Sequence, residues 1–253
     1  MKIRIAITDE RMPRAALLRL SSLGFFTVTL PPFSRLGDSV ASHTDMLILK
    51  ADNTFFTYAD FCEENPHVFD TLYELLSKSG ASFRFLADEV KPEYPDDAKI
   101  NVLVIGKHVF AREASVCRGV LSHFESLGYR TVNVKQGYPA CTVLKISDNT
   151  AVTADRGMAK SLEKAGIQTV LIEEGHIALP PHEYGFIGGC AGRIGNCIYF
   201  SGRIEDHPSY KLIKEAAERE GISLISLGDF PLLDVGGIIF AEYDLDENCK
   251  DRN

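Results

Sequence analysis

The sequence contains no long apolar run. None of its 253 residues begins a stretch close to the roughly 18 apolar residues that a membrane-spanning helix needs. The first residues, Met1–Ile7, also lack the apolar core and the small-residue cleavage site of a signal peptide. A hydrophobic fraction of 45% with 25% charged residues is typical of globular proteins and excludes a wholly disordered chain. We therefore expect a cytoplasmic protein with no membrane partner.

Positive charge is also scarce. The 27 Lys and Arg residues are outnumbered by 35 Asp and Glu residues, and the formal net charge is −8. Nucleic-acid binding relies on Lys and Arg to neutralise phosphates, so we expect no nucleic-acid partner.

Cysteine is present but not in a metal-binding or disulfide pattern. The six cysteines include no C-x-x-C pair, and in a reducing compartment they should be thiols. The glycine-rich segment Gly188–Gly192 lacks the G-x-G-x-x-G spacing of a dinucleotide loop, and a strand rather than a helix follows it. The sequence therefore predicts no cofactor and shows no metal cluster, although His43, Asp45 and His176 could meet in space.

What the sequence does contain is a repeat. Five segments with helical character each end at a glycine that an extended run follows directly. A glycine just past a helix can take the left-handed conformation at little steric cost, so each segment is predicted as helix, turn and strand. These glycines are Gly24, Gly80, Gly128, Gly166 and Gly221.

A second set of apolar strands extends the repeat. Each of the first four is followed by a turn rich in Asp, Asn or Gly and then by a further strand, which is a hairpin signal. The set comprises 46–49, 102–105, 143–146, 191–194 and 237–240. The first strand of the chain, 3–7, has no hairpin partner before it, and the last strand, 237–240, has no further strand or helix after it. We therefore expect these two strands to pair and to close a ring of five units.

Two other architectures fit parts of this pattern, a doubly wound parallel sheet and a chain of two domains. A doubly wound parallel sheet also alternates strands and helices, but it would place a helix where this sequence has hairpins. The segment 91–99, with Pro92 and Pro95, would be a linker between two domains or an insertion in the second unit. We favour the insertion, because the spacing from this unit to the next is the longest of the four.

This pattern resembles the pentein superfamily, the guanidine-modifying-enzyme fold, and an uncharacterised bacterial branch of it. The segments that carry the resemblance are Ala140–Leu144, Thr153–Gly157, Gly175–Ile177 and Tyr184–Gly189. The resemblance implies an α/β fold, a five-bladed propeller of ββαβ repeats. It covers residues 1–243 as one domain, and the polar residues 244–253 are predicted to be a disordered tail.

The resemblance implies two classes of function. Enzymes of the superfamily attack the guanidinium carbon with a cysteine, hold the cation with carboxylates and move protons through a histidine. A ribosome-binding translation factor has the same fold without catalysis. The expected partner is a small cationic molecule in a central channel, and the function is a hydrolase or transferase of guanidino or amine compounds, or else a binding module. The superfamily's cysteine belongs near the last strand, where this chain has Asp234 and no cysteine.

Three residues are candidates for catalysis. Cys141 precedes an outer strand in a short loop, where a nucleophile can be displayed; the alternative is a small buried hydrophobe. His43 lies two residues before Asp45, so on a strand both would share one face and could form an acid–base pair; the alternative is a turn histidine with a capping aspartate. His176 begins the long loop 175–189, which is either a lid or a surface excursion.

Five further residues are candidates for ligand binding. Asp45, Asp155 and Asp234 could hold a cation, although Asp155 also fits a helix N-cap. Tyr184 lies in the long loop, and Cys190 follows two glycines that permit close backbone approach. The alternative for Cys190 is a tight junction between two units.

Overall fold

The computed structural model describes residues 2–244 of the chain. Over these residues it forms fifteen strands and eight α helices. The strands are β1 Lys2–Asp9, β2 Phe26–Leu30, β3 Leu49–Ala51, β4 Thr54–Tyr58, β5 Ser82–Leu86, β6 Leu103–Ile105, β7 His108–Ala111, β8 Arg130–Asn133, β9 Val143–Lys145, β10 Thr150–Thr153, β11 Gln168–Leu171, β12 Ala191–Ile194, β13 Cys197–Phe200, β14 Ser223–Ser226 and β15 Ile239–Asp244. The helices are α1 Arg14–Ser22, α2 Thr44–Leu47, α3 Ala59–Glu64, α4 Pro66–Ser77, α5 Arg118–Ser126, α6 Pro139–Thr142, α7 Arg156–Lys164 and α8 Tyr210–Arg219. No helix within 2–244 is both long and apolar enough to cross a membrane.

The strands form five sheets of three strands each. In every sheet the middle strand pairs antiparallel with one outer strand and parallel with the strand that follows the helix; in four of the sheets the antiparallel pair is a hairpin. The sheet orders are β15-β1-β2, β3-β4-β5, β6-β7-β8, β9-β10-β11 and β12-β13-β14. The predicted mixed α/β fold with five repeated units is confirmed.

The first and last strands of the described chain pair with each other. β1 and β15 are antiparallel, with Lys2 opposite Asp244 and Ile7 opposite Ile239. The pairing expected between the N-terminal strand and the last one is therefore present. Asp244 ends β15, and the rest of the predicted tail lies outside the described residues. A closed five-bladed ring and a single domain over 1–243 remain predictions.

The helix ends follow the sequence signal. All five predicted glycines have positive φ, from +67° at Gly221 to +84° at Gly24. The longer helices bury one face, for example Leu20 of α1, Leu76 of α4 and Leu162 of α7. Burial of these apolar faces, more than intrinsic propensity, holds such short helices on their sheets.

The predicted outer strands 46–49 and 237–240 both begin later in the structure, and the first difference matters for the site. Residues 44–47 form the helical turn α2 instead of the start of a strand, and β3 begins at Leu49. The backbone N–H groups of Thr44 and Asp45 donate to the carbonyls of Val235 and Gly236, across the molecule. His43 is thus the N-cap of this turn and Asp45 lies inside it, so the two do not share a strand face.

The segment between β5 and β6 has no regular secondary structure, yet it is packed. Val90, Ile100 and Val102 are buried in the same hydrophobic cluster as residues of β1, β4 and α5. The segment thereby holds two polar side chains in the interior, Asp97 and Asn101, which are 3% and 0% exposed.

Candidate functional site

A cavity of about 500 Å³ opens where the segments that precede several outer strands meet. We call it the Cys141 cavity. Its lining residues are Gly37, Ser39, Val40, His43, Met46, Pro92, Tyr94, Asp97, Tyr138, Cys141, Leu179, His182, Glu183, Tyr184, Phe186 and Asp234.

Cys141 sits in α6 and is held by two polar side chains from distant segments. Its Sγ donates to Asp45 Oδ2 at 2.5 Å. Asn101 donates through Nδ2 to the same carboxylate oxygen at 2.9 Å, and its Nδ2 lies 3.7 Å from the Cys141 sulfur. The amide is itself fixed, because Asn101 Oδ1 accepts the Ala140 N–H at 2.9 Å. The thiol, the carboxyl and the amide therefore form one hydrogen-bonded unit, in which Cys141 and Asn101 are buried and Asp45 is partly buried.

His43 and Asp234 complete the polar floor of the cavity. His43 Nε2 lies 3.9 Å from Asp234 Oδ1. The Asp234 carboxylate accepts the N–H groups of Phe186 at 2.8 Å and of Gly236 at 3.1 Å. His43 is 1% exposed, and neither ring nitrogen has a hydrogen-bond partner among residues 2–244. One ligand atom from each of His43, Cys141 and Asp234 lies within 4.8 Å of the other two, a spacing that a metal ion could bridge.

Burial dominates the ionisation of this floor. It raises the pKa of Asp45 to about 7 and that of Asp234 to about 6, and the hydrogen bonds that each carboxylate accepts partly oppose the shift. Burial, reinforced by the charges of Asp45 and Asp234, raises the pKa of the Cys141 thiol well above its usual range. Burial, with the charge of Arg11, lowers the pKa of His43 to about 3. At neutral pH the histidine is neutral, and the thiol is protonated beside an acidic pair.

Glycines bring the backbone against Asp234. A Cβ atom at Gly189 would overlap the Asp234 carboxylate, and one at Gly185 would overlap its Cβ atom. The close backbone approach that the Gly188-Gly189 pair suggests is therefore present. The backbone at Gly189 lies against the Asp234 carboxylate.

The walls of the cavity are aromatic and acidic. Asp97 accepts the Tyr138 hydroxyl at 2.5 Å, and burial raises the pKa of Asp97. His182 Nε2 lies 2.8 Å from Ser39 Oγ at the rim. Glu183 also lines the cavity, whereas its lining within the described residues includes no Lys or Arg.

The structure brings together four of the predicted site residues, Cys141, His43, Asp45 and Asp234. Tyr184 lines the cavity and also a second depression of about 950 Å³. We call this depression the Asp155 groove. Its lining includes Glu173, Glu174 and Gly175 together with Asp155 and Tyr184.

The other three predicted site residues lie elsewhere. Asp155 caps α7 by accepting the N–H groups of Gly157 and Met158. His176 does not line the Cys141 cavity; its ring is 43% exposed and lies 5.5 Å from the His207 ring. Cys190 is fully buried, and its Sγ donates to the Ile187 carbonyl at 3.2 Å.

Sequence reasoning missed Asn101, Asp97 and Tyr138. Tyr138 lies three residues before Cys141, so a search around the candidate nucleophile would have found it. Asn101 and Asp97 lie in the irregular segment before β6, where no periodicity indicates which side chains point inward.

Solved structures with similar folds are guanidine-modifying enzymes. A dimethylarginine dimethylaminohydrolase from Pseudomonas aeruginosa, a cysteine-to-serine mutant complexed with citrulline, matches with a TM-score of 0.56 and 14% identity over 88% of this chain and 90% of that one. The agmatine deiminase of C. jejuni matches with a TM-score of 0.51 and 9% identity over 90% of each chain. An amidinotransferase of saxitoxin biosynthesis from Microseira wollei matches with a TM-score of 0.51 and 11% identity over 87% of this chain and 77% of that one.

No curated protein sequence matches the chain. A family model described as a family of unknown function, DUF6873, matches residues 7–239. The resemblance to the pentein superfamily is confirmed by the fold of the solved structures. The chain thus belongs to the DUF6873 family and has the fold of the guanidine-modifying enzymes.

Proposed function

We propose that this protein is a hydrolase or transferase of a small guanidino or amine compound, with Cys141 as its nucleophile. The observation that carries the proposal is the Cys141 thiol, hydrogen-bonded to the Asp45 carboxylate at the floor of an acidic cavity. We further propose that the five sheets form one closed five-bladed domain over 1–243, with this cavity on its axis.

The repeat offers a reason for the unusual position of the cysteine. Asp45, Asn101, Cys141, Gly189 and Gly236 each lie just before the outer strand of a sheet. Backbone contacts link them, since Gly189 N–H donates to the Cys141 carbonyl and Asp45 N–H to that of Gly236. A nucleophile at any of these five positions would reach a ligand on the axis. In this chain the cysteine precedes β9 of the fourth sheet, and Asp234 precedes β15 of the first sheet.

In the proposed reaction Cys141 attacks the guanidinium carbon, and Asp45 and His43 carry the protons. When a cation binds, the Cys141 proton moves to Asp45 Oδ2, and the sulfur bonds to the guanidinium carbon. The leaving nitrogen takes that proton from Asp45, the carbon–nitrogen bond breaks, and a thiouronium intermediate remains. Water then adds to the carbon; one proton passes to His43 and the other to the departing sulfur as the carbon–sulfur bond breaks. His43 returns its proton to the released amine, and the products are a urea-type compound and an ammonium ion.

Electrostatics explain why a cation is needed. Acidic neighbours and burial keep Cys141 protonated in the free protein, and a thiol is a poor nucleophile. A bound cation would favour both the thiolate and the ionised carboxylates. Substrate binding therefore activates the nucleophile.

The residues that line the Cys141 cavity also indicate which groups the ligand carries besides its cation. Asp97, Glu183 and Asp234 line the cavity with no Lys or Arg from the described residues. The nearby Arg11 is held by Asp9 and donates to the Ser39 carbonyl at 2.8 Å. A ligand carboxylate would find no cationic partner, whereas an apolar tail would contact aromatic rings. We propose a cation without a carboxylate, unlike the amino acid citrulline.

Two matched probes test this proposal. Butylguanidine and 4-guanidinobutanoate share a four-carbon chain and differ in the terminal carboxylate. We expect butylguanidine to raise the melting temperature and to yield ammonium or butylamine, and 4-guanidinobutanoate to do neither. Cys141→Ser should retain binding and lose turnover, and His176→Gln should retain both. Absence of any shift with both probes would refute the guanidine site; binding of the carboxylate alone would refute only the charge argument.

One observation favours a binding module of the same fold instead. Cys141 is 4% exposed and protonated in the free protein. A protein that binds the cation without chemistry would show the butylguanidine shift with no product, and Cys141→Ser would leave the affinity unchanged. Product detection thus separates the two functions.

A further inference from the structure

Three different metal-ligating groups converge at the floor of the Cys141 cavity. They come from the N-cap of α2, from α6 and from the segment before β15. His43 Nε2 lies 3.9 Å from Asp234 Oδ1, and one ligand atom from each of His43, Cys141 and Asp234 lies within 4.8 Å of the other two. No local spacing in the sequence predicts this group, because its three residues lie far apart in the chain.

The second observation is the state of His43. The ring is 1% exposed, and Nδ1 and Nε2 both lack a hydrogen-bond partner among the described residues. Buried polar atoms in folded proteins are nearly always satisfied, because an unsatisfied one is destabilising. A metal ion bound to one ring nitrogen would satisfy that nitrogen.

The donor set selects the ion. We propose that His43, Cys141 and Asp234 bind one divalent ion of the zinc class, a function distinct from the proposed guanidine chemistry. Thiolate, imidazole and carboxylate are the ligands that zinc prefers, at roughly 2.0–2.3 Å in tetrahedral geometry. Such bonds place ligand atoms about 3.5 Å apart, so the 3.9 Å separation of the histidine and carboxylate atoms needs little change.

Charge and protons balance in this site. The Cys141 thiol loses its proton on binding, and the proton passes to Asp45 Oδ2, which already accepts the S–H bond, or to solvent. The thiolate and the Asp234 carboxylate then neutralise the two positive charges of the ion, and the imidazole is neutral. Water would supply the fourth ligand.

The surroundings indicate an exchangeable ion. Two ligands have further support, since Asn101 Nδ2 lies 3.7 Å from the sulfur and the Phe186 and Gly236 N–H groups donate to Asp234. His43 has no such support within residues 2–244. Loss of a supporting partner lowers metal affinity by about 10- to 100-fold, so chelators should remove this ion.

Cobalt titration tests the site directly. After treatment with a chelator, the full chain is titrated with Co²⁺ under reducing, anaerobic conditions. We expect a thiolate-to-cobalt charge-transfer band in the near ultraviolet that saturates at one equivalent and is abolished by Zn²⁺. Cys141→Ser should lose the band, and His43→Gln should weaken Co²⁺ binding by about 10-fold or more. The control variant Cys197→Ser changes a half-buried thiol outside the site and should retain the band.

A second measurement covers the case in which a variant does not fold. Zn²⁺ should protect Cys141 of the unmodified chain from iodoacetamide, as judged by peptide mass spectrometry, and leave the labelling of Cys197 unchanged. A missing band together with unprotected Cys141 would overturn the metal site, as would a band that persists in folded Cys141→Ser. Because these readouts need no guanidine, failure of the metal site leaves the proposed enzyme standing, and the reverse also holds.

Discussion

The two buried cysteines Cys141 and Cys190 occupy related places in the fold and differ in their hydrogen-bond partners. Each lies just before the outer strand of a sheet, β9 or β12, and each is almost inaccessible, at 4% and 0% exposure. Burial raises the pKa of both thiols well above the usual range. Cys141 nevertheless bonds a carboxylate, whereas Cys190 bonds a backbone carbonyl and packs against an apolar cluster that includes Ile198 and Phe200.

The difference arises from distant parts of the chain. Asp45 is 96 residues from Cys141, and Asn101 is 40 residues away. The repeat places a cysteine at a given position, but contacts from other units decide whether that cysteine is polar or part of the core. The predictions below test whether the surroundings of Cys141 behave as a polar unit and those of Cys190 as packing.

The largest expected effect is the loss of stability when Asn101 is replaced. Asn101→Ala removes the Asn101 bonds to Asp45 and to the Ala140 N–H and leaves both partly buried groups without this partner. We expect the free energy of unfolding to fall by about 3 kcal/mol, the sum of lost bonds and unsatisfied groups. Urea denaturation measures it. Asn65→Ala, which removes one half-buried bond to Phe61, is the control and should cost less than about 1 kcal/mol. Equal losses in the two variants would contradict the polar unit.

The next effect is a pH dependence that Asp45 imposes. Its pKa is raised to about 7 in the folded protein from an ordinary 3.8, so between these values the folded state holds a proton that the unfolded state has released. Stability from this group is therefore complete below about pH 4 and is lost as the pH rises towards 7. Asp234, raised to about 6, acts in the same direction, and His43, lowered to about 3, acts in the opposite one.

Asp45→Asn isolates this contribution, because the other two groups are common to both proteins. Between pH 4.5 and 6.5 the unfolding free energy of the variant should rise relative to that of the unmodified chain by about 1.4 kcal/mol per pH unit at most. Urea denaturation at several pH values measures the difference. A difference independent of pH would show that Asp45 titrates normally in the folded protein.

The sequence predicted much of this fold because its signals are local. The five glycine-terminated helices and the hairpins depend on residues adjacent in the chain, and all five glycines take positive φ. The turn α2 was missed because Met46–Leu49 has the apolar composition of a strand, and only the N–H bonds of Thr44 and Asp45 to residues near β15 bend it.

The site was predicted only in part for the same reason. Cys141, His43, Asp45 and Asp234 were found by their chemistry and their place before outer strands. Asn101 and Asp97 were not, because the irregular segment that carries them has no pattern to reveal its buried side. His176 was placed with the site by its loop, and the path of that loop depends on tertiary contacts such as Ala178 with Leu233.

A smaller effect separates the two cysteines by serine substitution. Cys141→Ser keeps a hydroxyl beside Asp45 and Asn101, so we expect a stability change below about 1 kcal/mol. Cys190→Ser places a hydroxyl among apolar side chains with one carbonyl acceptor, and we expect a loss of about 1–2 kcal/mol. Thermal and urea unfolding of both variants give the comparison. The reverse order would mean that Cys141 is the packing residue.

The smallest expected effect is on the alkylation rate of Cys141. This rate reports how the residues around the thiol control its reactivity. A raised pKa and 4% exposure should make Cys141 react slowly with iodoacetamide in the free protein, and Cys190 should not react at all. Butylguanidine should raise the Cys141 rate several-fold, because a bound cation favours the thiolate between Asp45 and Asp234. Peptide mass spectrometry after short exposure reports each cysteine separately, and half-buried Cys197 is the internal reference, since its rate should not respond to the ligand. If the Cys141 rate stays equally low with and without the cation while butylguanidine still raises the melting temperature, the ligand binds without activating the thiol, and the binding module becomes the better description of this site.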